Sequence, residues 1–197
     1  WPCLVMSRTD GNPLFEPDAR QASTFRLYAD AGALLARMHA VRLPVAGFGL
    51  GAFLGARGGA AASDTWPDWA AFVAAHHAHP ASGRRLLAHG LLPGMTQADL
   101  DRLDEALSRH RFRAVLNHGD FGPDHILAHR RRIAGIIDPG EAFAGPREYD
   151  LAYLTCYVTG AQFAHALRGY GRRVERRMID VYAAVIALHK AGRALDA

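Results

Sequence analysis

Residues 114–140 read AVLNHGDFGPDHILAHRRRIAGIIDPG, and this stretch restricts the fold more than any other. AVLN, HILA and RIAGIID are short β-branched or leucine-containing runs separated by polar turns, the signature of small strands. Helical period dominates on either side, so the runs predict an α+β chain: a mainly α-helical body with a small β-hairpin inserted in it. The reactive side chains sit at the strand ends, where the eight residues HGDFGPDH hold two His, two Asp and two Gly around one Pro.

Between Asp18 and Ala40, Phe25, Tyr28, Leu35 and Met38 recur near helical spacing with Ala and Leu between them. SDTWPDWAAFVAAHHAH offers Ser63, Asp64 or Thr65 as an N-cap and a Pro at an early helical position, predicting a second helix to about His79. On that helix His76, His77 and His79 have a spacing that does not aim three rings at one ion, so they read as an exposed face. Trp66 and Trp69 read as packing anchors. Thr96 with Asp99 resembles a capping box ahead of a Leu100, Leu103, Leu107 stripe. After Gly145-Pro146 the helical pattern returns through EYDLAYLTCYV, and a last helix from about Arg172 places Val174, Met178, Val181, Val185 and Leu188 on one side. Near the start, PCLVM is a β-type run broken by the turn signal DGNP, and residues 47–59 are Gly- and Ala-rich and read as a loop.

With 197 residues, 50% hydrophobic and 21% charged, the chain can bury the core of about one domain. It contains no run of about 18 apolar residues to span a bilayer, and WPCLVMSRTDG lacks the basic-then-apolar order of a secretory signal. The expectation is a cytoplasmic protein without a membrane partner. Cys3 and Cys156 form neither a disulfide framework nor a zinc knuckle and read as reduced packing residues. The net charge is +4, yet of 23 basic residues only Lys190 is lysine. The arginines are scattered without interleaved aromatics, which reads as a solvated surface and excludes nucleic acid as the expected partner.

If residues 126–128 and 133–137 pair as a hairpin with the arginines at its tip, three groups can meet. His125 and Asp138 then lie near opposite ends of adjacent strands, where they can hold a divalent cation, while Asp120 on the preceding loop faces a substrate hydroxyl. One Asp to orient an attacking hydroxyl, beside a second to hold a metal on nucleotide phosphates, is the layout of phosphoryl transfer.

HGDFGPDHIL followed by IAGIIDPGEAFAGPREYDLAYL resembles the catalytic segment of the aminoglycoside phosphotransferase family, relatives of protein kinases whose motif runs HGD-x4-N, a strand ending in ID-x-G, then DP-x-x-DLA. CLVMSRTDG is similar to the strand and hinge that join the two lobes of that family, and LLARMHAV to its first large-lobe helix. The resemblance implies a protein-kinase-like large lobe, with residues 1–11 as hinge strand and connector, 12–197 as the helical C-terminal lobe and 114–152 as its catalytic segment. It implies Asp120 as the catalytic base or hydroxyl-positioning group, and His125 and Asp138 as ligands of Mg2+, with Mn2+ as the alternative. It further implies the Ser7 carbonyl and Thr9 amide as hinge contacts to the nucleotide base, Leu127 and Ile137 as the floor of the base pocket, and Asp150 as support for the catalytic-loop backbone. His118 reads as a brace of that loop, and Glu141 as a group within reach of a cationic substrate. The implied activity is transfer of the γ-phosphate of ATP or GTP to a hydroxyl of a small molecule, an aminoglycoside or related antibiotic.

The chain departs from the family pattern at three places. His125 replaces the motif asparagine and is the softer ligand; Pro139 stands where an aromatic residue is common; Gly145 stands where DP-x-x-D has its first Asp. A Gly-rich phosphate loop and a strand lysine would precede the hinge, whereas Lys190 is near the opposite end and GARGGAA follows the first helix in the wrong order. The small N-terminal lobe is therefore expected to be absent from this chain. Two other readings stay open: a non-catalytic, pseudokinase-like binding module whose bare apolar residues Val5, Leu127 and Ile137 favour self-association, and a metal-dependent hydrolase using His118, Asp120, His125 and Asp138.

Overall fold

Helical period decides most of the chain. In the computed structural model the described residues are 9–14, 22–43 and 69–195. The expectations for PCLVM, Ser7, Val5, the 47–59 loop, the 63–65 cap and Trp66 fall outside them. The Phe25–Met38 stripe forms α1 (Ala22–Met38), which buries Tyr28 and Leu35. α1 crosses a helix near the C-terminus (Gly160–Tyr170) at very close range: a Cβ on Gly32 would meet the Ala166 carbonyl oxygen at 1.9 Å, and one on Gly169 the Ala29 oxygen at 1.8 Å.

The predicted second helix is two helices, α2 (Trp69–His77) and α3 (His79–Ala88), with Ala78 between them at φ 48°. Pro80 is the physical reason, because it has no N–H for the carbonyl four residues back and its ring would collide with that carbonyl, whereas it suits the first turn of a new helix. The break overturns the exposed-face reading of the histidines. His77 and His79 are buried, at 4% and 2% exposure, and His76 alone of the three is exposed. Trp69 is buried as expected, donates to the Tyr182 hydroxyl at 2.7 Å and stacks on Phe72.

α4 (Gln97–Arg109) starts at the Thr96–Asp99 capping box and buries Leu100 and Leu107. Three helices complete the body: α5 (Glu148–Thr155), α6 (Gly160–Tyr170) and α7 (Arg176–Ala194). The last begins at Arg176, later than expected. α6 has its own capping box, Thr159 with Gln162, which the sequence reading passed over. Cys156, at the end of α5, is exposed and not a packing residue. No described helix is long and apolar enough to cross a membrane.

The strands form one long interrupted hairpin. β2 (Val115–Asn117) pairs antiparallel with β5 (Phe143–Gly145), and β3 (Ile126–His129) with β4 (Arg132–Ile136). The chain runs out through β2 and β3 and returns through β4 and β5, so the loops 118–125 and 137–142 face each other between the two pairs. Ile126 opposes Ile136 and Leu127 opposes Gly135, after which the register shifts and leaves Ala134 as an extra residue on β4. β1 (Asn12–Pro13) adds an edge strand to β3, where DGNP was read only as a breaker; Pro13 is tolerated because an edge leaves N–H positions without strand partners. β1 covers Leu127, 8% exposed, which removes that residue from the bare apolar patch.

Arg130 and Arg131 form the hairpin tip at φ 48° and 65°. A two-residue hairpin turn needs the left-handed region at both positions, and Asn-Gly reaches it with little strain. Replacing the pair, Arg130→Asn with Arg131→Gly, should stabilise the chain by about 1–2 kcal/mol. Urea unfolding checks this as a raised midpoint with an unchanged slope.

Candidate functional site

Asp150, in the first turn of α5, is fully buried, and its carboxylate is the fixed point of the loop that follows β2. Its Oδ2 accepts the His118 N–H at 2.8 Å and its Oδ1 the Gly119 N–H at 2.9 Å. His39, just past α1, places Nε2 3.0 Å from Oδ2, while its Nδ1 meets the Tyr170 hydroxyl at 2.9 Å. A carboxylate removed from water is tolerable only with such a set of partners. Gly119 has φ 84°, and a Cβ there would lie 2.1 Å from the Glu141 carbonyl oxygen, so the middle residue of HGD must be glycine on both counts. His118 has both ring nitrogens committed: Nε2 donates to the Ile137 carbonyl at 2.9 Å and Nδ1 accepts the Asp120 N–H at 3.3 Å. It ties the two facing loops together.

That tie brings Asp120, His125 and Asp138 into one group. His125 Nδ1 donates to the Asp120 carbonyl oxygen at 2.8 Å and lies 3.6 Å from Asp120 Oδ2. Its Nε2 faces Asp124 Oδ2 at 3.8 Å and Asp138 Oδ2 at 4.0 Å. Burial pulls the His125 pKa down, but the hydrogen bond to the Asp120 backbone and the charges of Asp124, Asp120 and Asp138 outweigh it and hold the ring above its ordinary value. The surroundings favour positive charge at this point, as a proton or as a metal ion. Asp138 takes φ 59° and ψ 61° directly before Pro139, a conformation disfavoured both for a residue with a Cβ and for one preceding proline. Backbone strain of this kind collects where a side chain is held for use, and the Asp138 side chain is 72% exposed.

The His125–Asp138 pair fits a divalent cation. With Nδ1 committed to a carbonyl, Nε2 keeps its lone pair outward, as a metal-binding imidazole requires. Ligand atoms about 2.1 Å from an octahedral ion lie about 3 Å apart when adjacent and about 4.2 Å when opposite, and the observed 4.0 Å falls within that span. Among the described residues no three His, Cys, Asp or Glu side chains form a metal site. The pair therefore suits an ion completed by phosphate and water rather than a cage built by protein alone.

The other predicted residues are more dispersed. Thr9 lies over β4, its Cγ2 3.3 Å from where a Gly135 Cβ would stand. Leu127 and Ile137 lie on the neighbouring arms of the hairpin, Leu127 buried and Ile137 half-buried, with the Ile137 N–H bonded to the His125 carbonyl at 3.0 Å. Ser7 falls outside the described residues. Glu141, 60% exposed, is 3.8 Å from His76 Nε2 and lines a pocket with Asp120.

This pocket, about 330 Å3, opens beside Asp120 between the end of α2, the loop after β2, α5 and α7. Burial, with the negative charge of nearby Asp120, holds the Tyr153 phenol far above its ordinary pKa, so it remains a donor. Lys190 donates to the Tyr153 hydroxyl at 2.9 Å, with its ammonium over the Tyr153 and Tyr157 rings at 4.8 and 5.0 Å. Sequence reasoning missed this chain of contacts, having weighed Lys190 only as a phosphate-gripping lysine. Tyr153 carried a usable signal, since it sits three residues after Asp150 on one helix and so faces the same loop. His39 was quoted within LLARMHAV but given no role.

The chain matches the profile described as the phosphotransferase enzyme family over residues 1–186. No curated protein matches it. Its fold is similar to that of macrolide 2′-phosphotransferase MphH from Brachybacterium faecium, an apoenzyme, with TM-score 0.58 and 21% identity over 95% of this chain and 61% of that one. A thermostable mutant of aminoglycoside phosphotransferase APH(4)-Ia, in ternary complex with ADP and hygromycin B, gives 0.62 and 19% over 95% and 63%. A choline/ethanolamine kinase family protein from Mesorhizobium loti gives 0.52 and 18% over 83% and 51%. The chain thus spans roughly half to two thirds of the length of these structures, and at such identities the likeness is one of fold.

Asp150→Ala leaves two buried amides and His39 without their acceptor and should destabilise the chain by about 3–5 kcal/mol, read from urea unfolding. His77 at the pocket wall gives a pH signature. Burial first, then the charges of His76, His189, His79 and Lys190, depress its pKa to about 3. The unfolded chain takes that proton first, so stability is full above about pH 6.5 and is lost by up to about 1.4 kcal/mol per unit as pH falls toward the folded value. Unfolding midpoints measured against pH should show this acid limb flattened in His77→Gln.

Proposed function

This chain belongs to the phosphotransferase enzyme family, and from that premise we propose that it transfers the γ-phosphoryl group of a nucleoside triphosphate to a hydroxyl of a small molecule. The supporting observation is the convergence of Asp120, His125 and Asp138 on two loops joined through His118. In this reading Asp120 receives the acceptor hydroxyl and turns its lone pair toward the γ-phosphorus. It takes the hydroxyl proton as the new O–P bond forms and the bond from the γ-phosphorus to the bridging oxygen breaks, leaving a nucleoside diphosphate. Tyr153, itself held by Lys190, stands with Asp120 in the lining of the same pocket. Asp150 acts one step back, on the loop backbone.

His125 Nε2 and the Asp138 carboxylate would hold Mg2+, with Mn2+ favoured by the imidazole; such an ion, when bound, neutralises charge on the transferring phosphate oxygens. Ser7 and Thr9 as hinge contacts, Leu127 and Ile137 as the base floor, and the division at residues 11 and 12 belong to the same proposal. Phosphate-gripping groups that a large lobe does not supply would come from a small lobe outside this chain. A hydrolase using His118 as a metal ligand is disfavoured, because neither ring nitrogen of His118 is free.

The purified chain should show a thermal shift with ATP or GTP that requires Mg2+ or Mn2+, and Asp138→Asn should abolish it. Asp120→Asn should keep the shift while lowering phosphoryl transfer at least about a hundredfold. His125→Asn, which restores the family amide, should move the metal preference toward Mg2+. A wild-type chain that binds no nucleotide with either metal would remove the reading.

A further inference from the structure

Lys190 and Arg193, in the wall of the pocket beside Asp120, have no ion-pair partner among the described residues, and from them we infer that the acceptor is itself an anion: a small hydroxyl compound bearing a carboxylate or phosphate, held by Lys190 and Arg193. The inference rests on the phosphotransferase reading, since it takes this pocket as the acceptor site.

Ile186, His189, Lys190 and Arg193 follow one another at helical spacing, so one face of α7 forms this wall of the pocket. Lys190 is half-buried and its contacts are neutral: one tyrosine hydroxyl and two tyrosine rings. No described carboxylate lies within ion-pair distance of Lys190 or Arg193. Two carboxylates, Asp120 and Glu141, line the same pocket. Asp120 is needed for the reacting hydroxyl, while Glu141 is largely in water and faces His76.

An oligocation such as an aminoglycoside, expected from the resemblance alone, would bring several ammonium groups against Lys190 and Arg193. With Asp120 taken by the reacting hydroxyl and Glu141 facing His76, those ammonium groups would meet the two cations without a carboxylate reserved for them. An anion would pair with the two cations, which hold no ion-pair partner among the described residues. The geometry also places the anionic group. Lys190 and Asp120 line the same pocket, with the ammonium held at the Tyr153 hydroxyl between them in the lining. An acidic group a few bonds from the reacting hydroxyl reaches it. Bounded by the described residues, the pocket of about 330 Å3 is at the small end for ligand sites and suits a single sugar-sized molecule.

The test measures binding of gluconate, glucose 6-phosphate, glucose and kanamycin by calorimetry to the full chain with Mg2+ and ADP present. At least one of the two anions should bind about tenfold or more tightly than glucose, the weight of one hydrogen bond to a charged group, and the preferred one distinguishes carboxylate from phosphate. Kanamycin should be the weakest of the four. Lys190→Met and Arg193→Gln should each remove most of the preference, and Lys190→Arg should retain it. Arg193 is exposed, so its substitution serves even where Lys190→Met disturbs the tyrosine stack. Kanamycin or glucose binding as tightly as both anions, or an anion preference indifferent to both substitutions, would overturn the inference. Those results leave the Mg2+-dependent nucleotide shift and its loss in Asp138→Asn intact, whereas failure of the phosphotransferase reading appears as loss of that shift in the unsubstituted chain.

Discussion

The Asp150 carboxylate joins parts of the chain that have no other reason to keep a common geometry. It receives two backbone amides from the loop after β2 and an imidazole from the end of α1, and that imidazole reaches the end of α6 through Tyr170. Three helices are thereby referred to one buried anion. The close crossing of α1 and α6 consequently fixes the height at which Gly119 and Asp120 are presented. Desolvating the carboxylate is offset by this full set of partners and by its place in the first turn of α5, where the helix dipole favours negative charge.

Above this anchor, pairing and chemistry are divided between different segments. The two strand pairs supply position and the two loops between them supply reactive groups. His118 and the Ile137 amide connect the loops, so Asp120 and His125 on one face Asp138 on the other. This group is open to water through Asp138, while the Asp120 side leads into the pocket walled by α5 and α7. In the proposed reaction a donor and an acceptor molecule approach from these different directions and meet at Asp120.

Local signals in the sequence were strong where the structure is local. The hairpin with arginines at its tip, the Thr96 capping box and the grouping of Asp120, His125 and Asp138 all depend on residues close in sequence, and all were legible. Burial of His77 and His79 was not, because it follows from a helix break at Ala78 and from packing against Tyr149 and Asp104, far away in sequence. The charge of the pocket was illegible for the same reason. Lys190 stands seventy residues beyond Asp120, and only the packing of α7 against α5 brings it to Tyr153. The capping box of α6 was present in the letters TGAQ and was simply outweighed by the longer helical stripes around it.

The register of β3 against β4 has an implication for how this chain can change over time. The tip at Arg130 and Arg131 points away from the reactive end, so residues gained or lost there lengthen or shorten a free extremity and leave the opposite end of the ladder untouched. The Ala134 bulge lies between tip and site and already absorbs one unpaired residue. An insertion on the loop side of that bulge would rotate His125 relative to Asp138 by one pleat and turn the two side chains to opposite faces. Length variation among descendants of this sequence should accordingly concentrate at residues 129–132 and avoid the few positions between the bulge and Asp138.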